Sequence, residues 1–287
     1  MLNKINYLSP LSSNYLKLLG AIENSPKLLY SIGELPTERR VSVAIVGTRK
    51  PSSYGKEVTY QLAHELAKRG VVIISGLALG VDSIAHQAAL EAGGTTIAVL
   101  GNGLPKIYPS TNKTLAEKII NNGGAILSEY EPGTPAMGFR FLERNRIVSG
   151  LADAIVITEA TSRSGTMSTA AHALSQGKEI FAVPGNITSP LSAGCNALLR
   201  QGATPLTKSN DIIEAIAPHL LAPQSILPLG NTPAETAIIT LLQSGIRDGD
   251  ELQQRSGLEA RELAEALTLL EIGGTVRPLG ANQWTLR

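Results

Sequence analysis

The sequence predicts an open, mainly parallel α/β sheet with helices on both faces, followed by a small C-terminal winged-helix-like domain. Three observations carry that prediction. From Val41 onward, short β-branched apolar runs, each closed by a glycine-containing turn, alternate with stretches of helical period, as in successive βαβ units. The runs are hydrophobic almost without interruption, as strands covered on both faces are. After residues 221–232, LAPQSILPLGNT, a stretch without charge, the pattern changes to short amphipathic helices and a hairpin.

Residues 1–40 hold scattered apolar positions interrupted by Pro26 and Pro36 and are expected to form a short docking segment. Strands are expected at 41–46 (VSVAIV), 71–75 (VVIIS), 95–100 (TTIAVL), 125–128 (AILS), 154–158 (AIVIT) and 180–183 (IFAV). Between the first two, Val58, Leu62 and Leu66 recur at four-residue spacing. This predicts a helix over 55–69 with one buried stripe, ending near Gly70. Further helices are expected over 82–92, 111–122, 143–150, 166–177 and 194–201, which completes a Rossmann-like domain over 41–220. Beyond the linker at 221–232, helices over 233–244, 248–255 and 259–271 precede TVRPL and NQWTL around a Gly280-Ala281 turn. They make up the winged-helix-like domain over 233–287.

The formal net charge is +1, so any polyanion site has to be local. Residues 41–220 carry 15 Lys+Arg against 13 Asp+Glu, whereas 231–287 carry 5 against 8. The tail is therefore acidic. Cys195 is the only cysteine, which excludes an intramolecular disulfide and a cysteine-rich zinc site, in keeping with a reducing compartment. The 4 histidines lack metal-ligand spacing. No apolar run reaches the roughly 20 residues of a membrane span, and the first residues lack the pattern of an export signal. A cytoplasmic protein with no membrane association is expected.

In such a sheet, ligands bind where strands end at their carboxyl edge, because loops and helix N-termini there offer unpaired N–H groups. The first such loop reads Gly47-Thr48-Arg49, with Gly55 beyond. It is not the dinucleotide fingerprint, and no acidic ribose-binding residue follows the second strand. A nicotinamide cofactor is disfavoured. Arg49 is suited to a phosphate or to pairing with a surface carboxylate.

After the second strand, Ser75 and Gly76 open a run of small residues through which backbone can approach an anion. Asp82 is read as the N-cap of the helix starting at Ser83, with ligand contact as the alternative; His86 is read as a packing or hydrogen-bonding residue. Gly101-Asn102-Gly103 makes a further permissive turn after the third strand. Arg140, Arg144 and Arg146 in RFLERNRI form the densest positive cluster, either a ligand site or a solvated face. Phe141 and Asn145 share one helical face. Ser164, Gly165 and Thr166 open a helix and can donate to phosphate, or simply cap it. Cys195 reads as a buried structural thiol. There is no nucleophile elbow, Walker lysine motif or HExxH, so the chain reads as a binder.

The motifs VAIVGTR (43–49), SGLALGVDSIAH (75–86), FLERNRIVSGLA (141–152), EATSRSGTMSTAAHA (159–173) and AVPGNITSPLSAGCNALLRQGA (182–203) resemble the DNA-processing protein A (DprA/Smf) family. The resemblance spans roughly 25–210 and implies single-stranded DNA binding without cleavage, no cofactor, a homodimer, and delivery of the strand to the RecA recombinase during natural transformation. Carried over by motif, it places Gly47, Arg49, Ser75, Gly76, Arg144, Arg146, Gly165 and Thr166 around an anion pocket, with Phe141 against a base or sugar. Leu142 stands where the family usually has proline, and Gly138 where it commonly has lysine; Arg140 is the expected substitute for that lysine. With 40 residues before the first expected strand, the N-terminal helical domain of many members is expected to be absent. A winged helix also occurs in many members, but Glu259, Glu262, Glu265 and Glu271 against Arg261 make this one a poor reader of duplex DNA, better suited to protein contact or intersubunit docking.

Two alternatives remain at this level. The Ser-Gly-Thr helix start is similar to the phosphate loop of lysine-decarboxylase-like hydrolases that release a base from nucleoside monophosphates, with Glu159 and Arg163 as candidate catalytic residues. A nucleotide sensor that signals through the C-terminal domain is the other.

Overall fold

The computed structural model describes residues 4–221 and 230–286, in two compact units divided between Leu220 and Leu221. Most of the linker expected at 221–232 lies outside the described residues.

The first unit contains β1 (Asn6–Leu8), β2 (Leu29–Gly33), β3 (Ser42–Val46), β4 (Val72–Ser75), β5 (Thr96–Leu100), β6 (Ala125–Ser128), β7 (Ala154–Ile157), β8 (Glu179–Ala182) and β9 (Thr204–Pro205). They form one sheet in the order β1-β2-β6-β5-β4-β3-β7-β8-β9. The run from β6 to β9 is parallel, and β1 and β2 add an antiparallel edge. The α/β expectation holds, with each of the six expected strands present. Residues 1–40 supply β1, β2 and the buried Tyr15, Leu16, Leu19 and Ile22.

Continuous hydrophobicity has a direct cause here. In β5, Ile97 and Val99 belong to one buried cluster, shared with Ile147, Val148 and Leu151. Ala98 and Leu100 belong to another, shared with Leu104, Ala116 and Ile119. Alternate side chains of a strand point to opposite faces, so a strand covered on both faces has to be apolar throughout.

The helices are α1 (Ser53–Lys68), α2 (Val81–Glu91), α3 (Lys113–Asn121), α4 (Gly138–Leu151), α5 (Gly165–Ser175), α6 (Ala193–Arg200) and α7 (Ser209–Ile216). Helix α4 begins earlier than the expected 143. Leu142, unlike a proline, carries a backbone N–H and does not clash with the preceding turn, so the helix runs uninterrupted from Gly138. Asp82 is not an N-cap: α2 starts at Val81 behind Gly80, whose φ of 80° suits glycine.

The second unit holds α8 (Pro233–Gln243), α9 (Gly249–Ser256), α10 (Ala260–Ile272) and the hairpin β10 (Val276–Gly280) and β11 (Gln283–Leu286), the winged-helix arrangement. Its core is built on Ile238, Ile239, Leu242, Leu252, Leu263 and Leu267. The hairpin turn lies one residue beyond expectation, with Ala281 and Asn282 at φ 47° and 57°. Glu259 at the N-cap of α10 and Arg261, Glu262, Glu265 and Glu271 along it are exposed.

Candidate nucleic-acid interface

Successive crossovers place β4, β5 and β6 on one side of β3, and the next crossover returns to place β7 on the other. The loops after β3 and β7 therefore part at the carboxyl edge, where ligands of such sheets settle. In this chain that crevice is closed from within. The buried Glu159 carboxylate accepts from the Ser52 N–H at 2.8 Å and from its hydroxyl at 2.6 Å, at the N-terminus of α1. The Thr48 N–H reaches the Glu159 carbonyl at 2.8 Å. A Cβ on Gly47 would stand 2.7 Å from Val81 Cγ2. Gly47 and Thr48 are thus a packing seam, and an internal carboxylate occupies the position a nucleotide phosphate would take at α1.

The loop after β4 is held the same way. The Ser75 hydroxyl donates to the Ile45 carbonyl at 2.7 Å. The Gly76 and Ala78 N–H groups donate to Asp82 at 3.0 and 3.3 Å, and Asn112 Nδ2 donates to the Leu77 carbonyl at 2.8 Å. These bonds fix buried Leu77 in a left-handed conformation, φ 58°, costly for a non-glycine residue. The cradle of free donors expected at Ser75 and Gly76 is therefore a set of internal bonds.

Arg144 is buried, and its Nη1 donates to the carbonyls of Gly76, at 2.8 Å, and Val99. A Cβ on Gly76 would stand 2.5 Å from both terminal nitrogens of Arg144, so the missing side chain is what lets the guanidinium in. Burial lowers the Arg144 pKa while the Asp82 carboxylate works in the opposite direction; burial likewise raises that of Asp82. His86, fully buried with Nδ1 2.6 Å from Thr96 Oγ1, is pushed down to about 3 by burial and by Arg144. It is a structural histidine.

On this scaffold sits a small pocket, about 70 Å³, lined by Arg49, Leu79, Tyr108, Pro109, Phe141 and Arg144, among others. The Phe141 and Tyr108 rings stack with centroids 5.4 Å apart, and the Arg49 guanidinium lies 5.8 Å from the Phe141 centroid. Gly101 makes room for the ring: a Cβ there would meet Phe141 at 2.7 Å. Arg49 is exposed and has no carboxylate within 4.0 Å among the described residues.

The other expected residues lie apart from this pocket. Positions 144 and 146 are separated by about 200° around a helix, and Arg146 instead pairs with Glu129 at 2.5 Å. It lines a separate cleft with Tyr130, Leu142 and His172. Arg140 bonds the Pro135 carbonyl and lies over Tyr130 and Phe139, outside the pocket. Gly138 is exposed, and a Cβ there would meet no atom outside its own turn within 4 Å among the described residues. Asn145 Nδ2 donates to the Gly165 carbonyl at 3.2 Å, tying α4 to the start of α5. There Thr166 is buried and, among the described residues, the Ser164 hydroxyl has no partner.

Sequence reasoning did not single out Leu79, Tyr108 and Pro109. An aromatic residue followed by proline in the loop after a third parallel strand was the available signal. Cys195 is buried, and burial pushes its thiol up to about 11. Among the described residues no group of His, Cys, Asp and Glu could hold a metal, and no helix is long and apolar enough to cross a membrane.

The family model of DNA recombination-mediator protein A matches residues 6–217, and that of the DprA winged helix domain matches 221–282. Protein Smf of Escherichia coli is 36% identical over 98% of this chain and 78% of its own length. DNA processing protein DprA of Streptococcus pneumoniae is 41% identical over 68% of each chain. The solved structure of that pneumococcal protein aligns with a TM-score of 0.69 at 38% identity, over 75% of each chain. A structure of DNA processing protein A from Helicobacter pylori, concerned with its single-stranded DNA binding mode, aligns with a TM-score of 0.66 at 36% identity, over 75% of this chain and 97% of that one.

Proposed function

The chain belongs to the DNA recombination-mediator protein A family, and from that premise we propose that it binds single-stranded DNA at the Phe141–Tyr108 pocket. An unpaired base packs against the aromatic pair, which tolerates any base because every base has a π-face. Arg49 takes an adjacent phosphate. A duplex keeps its bases stacked inside and offers none to the slot, so the site selects single strands. The observation that carries this reading is the stacked pair beneath an exposed, unpaired arginine at the carboxyl edge.

The protein acts as a binder rather than an enzyme, protecting the strand and delivering it, as a homodimer, to the RecA recombinase. That part of the reading rests on the family resemblance. The hydrolase alternative needs Glu159 as a free catalytic carboxylate, and Glu159 is bound to Ser52.

Fluorescence anisotropy with matched single- and double-stranded oligonucleotides tests the assignment. The single strand is expected to bind at concentrations that leave the duplex free, and Arg49→Ala to weaken binding by about tenfold or more. Equal affinity for both forms, or an Arg49→Ala variant that binds like the parent, contradicts it.

A further inference from the structure

The carboxyl rim continues past the pocket, across β7 to β8. Along it stand Arg49 and Lys50 in the loop after β3, Lys56 in the first turn of α1, and Arg163 in the loop after β7, all exposed. None has a carboxylate within 4.0 Å among the described residues. Glu159, which lies on the same stretch of chain as Arg163, is buried and held by Ser52.

Beyond these cations, the loop after β8 presents Ile187 with 92% of its surface exposed. The loop is firmly built. Asn196 accepts from the Gly185 N–H at 3.3 Å and donates to its carbonyl at 3.0 Å. Asn186 accepts from both the N–H and the hydroxyl of Thr188. The Tyr54 hydroxyl donates to the Pro184 carbonyl at 3.0 Å. Single exposed aliphatic residues are ordinary on protein surfaces. An aliphatic tip fixed by this many bonds, beyond a row of unpaired cations, is placed where a polyanion lying on those cations brings its bases.

We propose that this rim is a second nucleotide contact: the strand held in the pocket continues over Arg49, Lys50 and Arg163, and one of its bases packs on Ile187. The proposal rests on the single-stranded DNA reading above and extends it. From β4 to β8 there are three strand spacings, about 14 Å at roughly 4.8 Å each. A strand that lifts its bases out of the stack advances by more than the roughly 3.4 Å per nucleotide of a stacked one, so a few nucleotides cover the distance. A single nucleotide therefore fills the pocket alone, and a longer strand reaches both contacts.

The test titrates the full chain with thymidine monophosphate, read by competition, and with an oligonucleotide of about twelve thymidines. Ile187→Asp is expected to weaken the long strand by about tenfold and to leave the mononucleotide unchanged, while Ile187→Val binds both as the parent does. An Ile187→Asp variant that keeps its affinity for the long strand, or loses both lengths alike, overturns the second contact. Arg49→Ala separates the two claims. If it weakens both lengths while Ile187→Asp weakens neither, the second contact alone falls; if it weakens neither, the pocket reading falls first.

Discussion

Arginines of one short motif serve different ends here. Arg144 holds the carbonyls of Gly76 and Val99 at the pocket floor, whereas Arg146 is tied to Glu129 in another cleft. Removing Arg144 leaves two carbonyls without that donor and a buried Asp82 without its countercharge. Arg144→Ala is therefore expected to lower unfolding free energy by about 3–5 kcal/mol in urea denaturation. Arg146→Ala should leave single-strand affinity within about twofold of the parent, because its guanidinium does not line the pocket; a loss as large as that of Arg49→Ala contradicts the division. Arg144 and Arg146 were expected around one pocket on the strength of the motif, although residues two apart do not share a helical face, and the helix geometry overrides that expectation. Nor was it legible that Ser75, Gly76 and Thr48 turn their donors inward, because their partners Ile45, Asp82 and Glu159 are brought to them by the packing of β3, α2 and the loop after β7.

At the level of elements, strands β3 to β8 were readable because burial on both faces leaves an unbroken apolar run. β1, β2 and β9 were not: β1 and β9 are three and two residues long and at the sheet edges, and β2 falls in the stretch expected to be a docking segment. The early start of α4 is compatible with Leu142, which carries the backbone N–H that a proline at this position would lack. The packing of α2 on β5 has a pH signature. His86 is buried and bonded to Thr96, and its pKa falls from 6.5 to about 3. Between those values the unfolded chain binds a proton that the folded chain does not, so this contribution to stability is complete above about pH 6.5 and is lost progressively as pH falls toward 3. Relative to His86→Gln, the native protein should lose up to about 1.4 kcal/mol per pH unit across that window, measured by denaturant unfolding. A difference independent of pH would show that His86 is not held neutral.

For the molecule as a whole, a formal charge of +1 conceals an uneven distribution. The winged-helix unit is acidic and exposes four glutamates along and just before α10, which suits protein contact better than a DNA groove. DNA affinity is accordingly proposed for the pocket and rim of the first unit, where an aromatic pair and unpaired cations stand close together. Their separate contributions can be measured in one experiment: the affinity of the intact protein for single-stranded DNA across a salt series, beside Phe141→Ala and Arg49→Ala. Phe141→Ala is expected to lose about 1–3 kcal/mol of binding at every salt concentration with its slope unchanged, whereas Arg49→Ala flattens the slope. Phe141→Ala binding as tightly as the parent would contradict that expectation.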